Sequence, residues 1–121
     1  MIPVARIAAS AAAAAGAVAA SAAFALTAAA QPPVTIRLGE YFYKPAVVTV
    51  AVGQRVTFLN VGKISHTVAD STKGGRILSR QIKPHELVPL GRQTVTFSKP
   101  GVLYYLCTFH PSLMRGTIVV K

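Results

Sequence analysis

From residue 34 onward the chain alternates. Residues 34–38 place apolar and polar side chains in turn, the period of two that sets one face of a strand against a core and the other toward water. Residues 46–52 are rich in β-branched side chains and are closed by Gly53, which reads as a second strand followed by a turn. Residues 55–60 put Val56 and Phe58 on one face and Arg55, Thr57 and Leu59 on the other, and this strand is expected to pair with the preceding one or lie close to it. A five-residue loop, 61–65, then leads to a short strand expected at 66–69. The alternation resumes at 92–98, with Val95 and Phe97 inward and Thr94 and Thr96 outward. Lys99-Pro100-Gly101 turns the chain into 102–107, where Cys107 shares its face with Leu103 and Tyr105, and 116–120 is the closing strand. Residues 39–45 break the pattern and read as a loop whose aromatics pack over one end of the fold. Residues 70–91 hold Gly74-Gly75 and two prolines and fit a short strand near 76–82 or a helical turn equally well. No segment after residue 30 sustains a helical period, and turn signals recur at a sandwich-like spacing. The expected fold is all-β, a Greek-key β-sandwich of about seven or eight strands.

The first thirty residues do not share this pattern. Residues 1–30 carry one charge, Arg6, followed by an alanine-rich tract containing Val18, Phe24 and Leu26. A charged start, an apolar middle and small residues at the end are the parts of an export signal, and Ala28-Ala29-Ala30 before Gln31 offers a cleavage site. Cleavage after Ala25 is the second choice. An uncleaved membrane anchor is the competing reading, because residues 7–30 carry no charge and a span takes about 20 residues; alanine contributes little to insertion, however. The expected organisation is a cleaved signal peptide, 1–30, and one folded domain, 31–121, placed in the periplasm or secreted. Membrane association is expected only if the signal stays attached.

Charge narrows the partners. The formal net charge is +10 and falls to +9 with the loss of Arg6, leaving only Glu40, Asp70 and Glu86 as acidic side chains. Such a domain attracts acidic partners with salt-sensitive encounter. The basic residues are scattered from Arg37 to Lys121 and no nucleic-acid motif is present, so nucleic acid is not expected as a partner. A monomer is expected.

The candidate chemistry lies in one stretch, Cys107-Thr108-Phe109-His110-Pro111-Ser112-Leu113-Met114, on a loop between two strands expected to be antiparallel. It gathers a thiolate, an imidazole and a thioether. Thiolate and thioether favour Cu(I), whereas imidazole accommodates both oxidation states, so a site offering all three suits copper. A second imidazole must come from elsewhere, and His66 is the best placed. After residue 30 the chain holds one Cys, one Met and three His. An odd cysteine in an exported chain is a liability that metal coordination as the thiolate removes. His85 has no matching partner and reads as a solvated loop residue.

These residues also carry a resemblance. Pro45 before a valine-rich run, Gly53-Gln54-Arg55-Val56-Thr57-Phe58 leading to Asn60, His66-Thr67-Val68, Pro100-Gly101 before the strand into Cys107, and Met114-Arg115-Gly116 together resemble the small blue copper proteins of the cupredoxin family, of the plastocyanin, pseudoazurin and amicyanin type. The resemblance covers nearly all of residues 34–121. It implies one type 1 copper ion, with His66, Cys107 and His110 as equatorial ligands and Met114 as the weak axial one. Two departures stand out. Common short-loop members place Met three or five residues after the second His, and this chain has Cys-x2-His-x3-Met. Thr67 stands where many members carry Asn, and a Thr67–Thr108 hydroxyl hydrogen bond is expected in its place.

The resemblance implies a one-electron carrier rather than an enzyme, exchanging electrons with an acidic redox partner docked near His110, where Phe109, Pro111 and Leu113 form an apolar patch. Copper storage or delivery with the same ligands is the alternative. A structural zinc site is a third reading, and it leaves Met114 without a role.

Overall fold

The computed structural model describes residues 31–121, so the signal-peptide expectation for residues 1–30 lies outside the described residues. Among the described residues there are eight strands: β1 (Val34–Gly39), β2 (Phe42–Lys44), β3 (Val47–Val50), β4 (Val56–Asn60), β5 (Ala69–Ser71), β6 (Arg92–Val95), β7 (Gly101–Leu106) and β8 (Arg115–Val120). They form two four-stranded sheets, in the orders β2-β1-β4-β6 and β3-β8-β7-β5. This is the all-β sandwich that the alternation predicts. Between the sheets lie the inward positions of each strand: Ile36 and Leu38, Val48 and Val50, Val56 and Phe58, Leu103 and Tyr105, Ile118 and Val120. Tyr43, Phe58 and Tyr105 meet edge to face at the centre, with Tyr43–Tyr105 and Phe58–Tyr105 centroids 4.7 and 5.3 Å apart.

Three expectations need correction. Residues 46–52 and 55–60 do not pair: β3 runs parallel to β8, and β4 runs parallel to β1 and antiparallel to β6. The connection crosses from one sheet to the other instead of closing a hairpin. Gly53, at φ 82°, makes the corner, and buried Gln54 pins it by accepting the Ala51 N–H and donating to the Pro32 carbonyl, each at 2.9 Å. Second, residues 39–45 hold a strand as well as a turn, since β2 pairs antiparallel with β1 in the register Gly39↔Phe42, Leu38↔Tyr43 and Arg37↔Lys44. Tyr43 enters the core while Tyr41 and Phe42 are exposed. Third, the strand expected at 66–69 begins only at Ala69; His66 itself makes an isolated antiparallel bridge with Leu87.

Residues 70–91 form neither a helix nor a named strand beyond β5. Asp70 organises them. It is buried, and its Oδ1 accepts the N–H groups of Arg80, Gln81 and Ile82 at 2.8–2.9 Å. One carboxylate oxygen thus satisfies three donors that no ladder serves, and Ile82 is seated in the core.

Candidate metal centre

Two loops at one end of the sandwich bring the predicted residues together. The loop from Cys107 to Met114 joins β7 to β8, which are antiparallel as expected. Its ends continue the ladder, because the Cys107 N–H donates to the Met114 carbonyl at 3.1 Å. Inside it the chain folds back twice: the His110 N–H donates to the Cys107 carbonyl at 3.2 Å, and the Leu113 and Met114 N–H groups donate to the His110 carbonyl at 3.1 and 3.0 Å. Four of the loop's N–H groups are therefore bonded to the loop's own carbonyls, and Cys107 and Met114 are fully buried beside half-buried His110.

His66 comes from the other loop, and Asn60 shapes that loop. The buried Asn60 amide donates to the carbonyls of Ile64 and Leu87 at 2.8 and 2.7 Å, and its Oδ1 accepts the Gly62 N–H at 2.9 Å. Two backbone hydrogen bonds between His66 and Leu87, at 3.1 and 2.8 Å, fix the histidine's own main chain. The asparagine that ends β4 is thus the clamp that delivers the buried imidazole.

Between the two loops sits Thr67. Its N–H donates to Cys107 Sγ at 3.4 Å, and its carbonyl accepts the buried Tyr43 hydroxyl at 2.7 Å. The expected hydroxyl pair is present, with Thr67 Oγ1 and Thr108 Oγ1 2.8 Å apart. A second bond, not foreseen, strengthens it: the Thr108 N–H donates to Thr67 Oγ1 at 2.7 Å. When Thr108 also donates its hydroxyl hydrogen, the Thr67 hydroxyl is left facing Cys107 Sγ, 3.8 Å away. Burial pushes the Tyr43 hydroxyl well above its ordinary pKa, with the charge of a Cys107 thiolate adding to the effect, so Tyr43 acts only as a neutral donor.

One ligand atom each from His66, Cys107 and His110 lies within 4.8 Å of the others. Cys107 Sγ and His110 Nδ1 are 3.7 Å apart. Whether a metal fits is tested by His66 Nδ1, which is buried and has no hydrogen-bond partner. An imidazole nitrogen left so is costly unless something binds it. A buried free thiol and a second imidazole around it form a donor set for a soft or borderline ion, and the residues fit copper.

Sequence reasoning missed the other side of His66. Glu40 Oε1 lies 3.4 Å from His66 Nε2 and accepts the N–H groups of Lys63 and Ile64 at 2.7 and 3.2 Å. The Lys63 N–H is the main reason that the Glu40 carboxyl is held below its ordinary pKa. Tyr41 meets the His110 ring edge to face, with centroids 4.8 Å apart. No sequence signal marks these residues: Phe42 and Tyr43 are both aromatic, so β2 and the turn before it do not show as an alternation of apolar and polar positions. His85 is exposed and stays outside the cluster.

Comparisons with known proteins agree with this geometry. The family model of copper binding proteins, plastocyanin/azurin family, matches residues 30–121. Among solved structures, a novel purple cupredoxin from Nitrosopumilus maritimus shares 26% identity at TM-score 0.64, over 75% of this chain and 100% of its own. The reduced state of an amicyanin mutant shares 27% identity at TM-score 0.64, over 78% of this chain and 89% of its own. A copper-containing nitrite reductase from Thermus scotoductus shares 27% identity at TM-score 0.63, over 78% of this chain but only 26% of that longer one. No curated protein gives a significant match. The chain belongs to the copper-binding plastocyanin/azurin family, the cupredoxins, and copper is its cofactor.

Proposed function

We propose that this protein is an exported one-electron carrier that holds a single copper ion through His66, Cys107 and His110, with Met114 as the weak fourth ligand. The observation that supports this reading most is the meeting of two imidazoles and a lone buried thiol from two loops, with His66 Nδ1 left otherwise unpartnered. Held there, copper would supply a Cu(I)/Cu(II) couple for one-electron exchange between a reduced donor and an oxidised acceptor, with no atom transferred.

The protein's own residues do the rest. Thr67 donates its N–H to Cys107 Sγ and so disperses charge on the thiolate. Asn60 and the Cys107–Met114 backbone bond keep both loops in one arrangement, which limits movement between oxidation states. His110 is the donor nearest solvent; Phe109 and Leu113 beside it are 51% and 66% exposed and would meet the partner's surface. Arg115, whose Nε donates to the Pro111 carbonyl at 2.8 Å, packs its guanidinium against Gly75 in the turn that carries Lys73 and Arg76. The loop is thereby flanked by positive charge that would steer an acidic partner. The protein works as a monomer, without an enzymatic step, and reaches the periplasm or exterior by cleavage of residues 1–30.

The test is to load the purified protein with copper and to record its visible spectrum and voltammogram. An intense thiolate-to-copper band with reversible one-electron reduction is expected. A colourless protein that yields its copper readily to chelators would sink the carrier reading in favour of storage or delivery. Mass spectrometry of the mature N-terminus, expected at Gln31, checks export.

A further inference from the structure

The turn between β1 and β2 has only two central residues, because Gly39 pairs directly with Phe42. These two residues, Glu40 and Tyr41, touch the two histidines separately: the Glu40 carboxylate faces His66 Nε2 at 3.4 Å, and the Tyr41 ring meets the His110 ring at 4.8 Å and 81°. Tyr41 does so at φ 75°, in the left-handed region where a tight turn ordinarily uses glycine. A bulky residue persists in such a conformation where its surroundings over-determine it, and such positions cluster at functional sites. Two glycines clear the space. A Cβ at Gly39 would run into the Phe42 ring, and a Cβ at Gly62 would run into the Glu40 carboxylate.

We propose that the Glu40–Tyr41 turn is a positioning element of the metal centre, with Glu40 holding His66 in the tautomer that keeps Nδ1 for copper and Tyr41 bracing the ring of His110 from outside. The inference rests on the ligand assignment given above. A carboxylate only accepts hydrogen bonds, so a neutral His66 facing Glu40 carries its hydrogen on Nε2. Nδ1, the nitrogen without a partner, then keeps its lone pair. A carboxylate behind a ligating imidazole also raises that ligand's basicity, and removing such a partner typically costs ten- to a hundredfold in metal affinity. Negative charge at that point favours the more highly charged copper(II). The edge contact of Tyr41 restricts rotation of the His110 ring, which unlike that of His66 is not enclosed by the core.

A purely structural turn makes different predictions, because Glu40 also caps the N–H groups of Lys63 and Ile64. The test uses the full chain with Glu40→Gln, Glu40→Ala, Tyr41→Phe and Tyr41→Gly. The His66 tautomer is read from imidazole 15N shifts of the metal-free protein. Potential and copper loss are read from the loaded protein. Glu40→Gln keeps an acceptor without the charge, so the Nε2–H tautomer should persist while the reduction potential rises. Glu40→Ala should mix the tautomers and weaken Cu(II) binding about tenfold or more, and Cu(I) binding less. Tyr41→Phe should behave as wild type. Tyr41→Gly should leave the metal-free melting temperature unchanged or raised, because the strained conformation is relieved, yet release copper about tenfold faster; a merely structural role moves both in the same direction.

Wild-type protein that takes up no copper overturns the ligand assignment and the brace with it. Wild-type protein that binds copper, with Glu40→Ala sharing its tautomer and potential and Tyr41→Gly its copper release rate, overturns the brace alone.

Discussion

Cys107 and Thr67 show how single side chains divide the work at this centre. Cys107 is the only thiol in the chain, and a serine hydroxyl in its place is a hard, neutral donor at working pH. Cys107→Ser is therefore expected to abolish the visible charge-transfer band and Cu(I) retention, as measured by absorption and competition with a Cu(I) chelator. Thr67 binds nothing itself, yet its Oγ1 accepts the Thr108 N–H and pairs with the Thr108 hydroxyl. Thr67→Val keeps the shape and removes that acceptor, so urea denaturation of the metal-free protein should show a loss of about 1–3 kcal/mol, with a shifted copper spectrum. The four proposed ligand positions were legible in the sequence because chemistry restricts them: one Cys, one Met and few His leave little choice. Glu40 and Tyr41 were not legible, because a glutamate and a tyrosine have many ordinary uses and only their place at a turn gives them this one.

At the scale of elements, rigidity comes from short loops whose polar groups are satisfied internally. Asn60 is the clearest case, with three hydrogen bonds spanning residues 60–64 and reaching Leu87. Asn60→Ala removes the partners of the Ile64 carbonyl and the Gly62 N–H, leaves the Leu87 carbonyl to the His66 N–H alone and frees the His66 loop, and a loss of about 1–3 kcal/mol is expected. Equilibrium unfolding checks the energy; the copper off-rate, expected to rise, checks the loop. Period-two alternation revealed most strands, since each face is decided by neighbours in the chain. It did not reveal which strands pair. The parallel pairs β1 with β4 and β3 with β8 join segments far apart in sequence, and the Gly53–Gln54 corner that separates β3 from β4 reads locally like any hairpin turn. Residues 70–91 were illegible for a related reason, because their order comes from Asp70 Oδ1 and not from a repeating pattern.

Residues 32–121 fold as a small sandwich that takes copper as its cofactor, and both facts have measurable consequences. A domain of this size hides a modest share of its unfolded surface, so a ligand that binds only the folded state contributes visibly. Copper at a hundredfold excess over its Kd adds about 2.7 kcal/mol, which for such a domain corresponds to a rise of roughly 10–20 °C in Tm. Calorimetry of metal-free and loaded protein checks this. The surplus of basic residues acts over longer distances. Electron exchange with an acidic partner should slow as ionic strength rises, and Lys73→Glu with Arg76→Glu should lower the association rate and flatten that salt dependence with little change in potential. Stopped-flow kinetics across a salt series measures both.

Alternation and ligand chemistry act locally, so the chain alone revealed most of the strands, their buried faces and the residue types able to hold a soft ion. The order of the sheets, the meeting of His66, its Nδ1 unpartnered, with Cys107 and His110, and the reach of the first hairpin's tip to both of these imidazoles emerge only in the folded chain. Those outcomes depend on closing the chain over long separations, where many locally equivalent arrangements compete and packing of the whole core selects one.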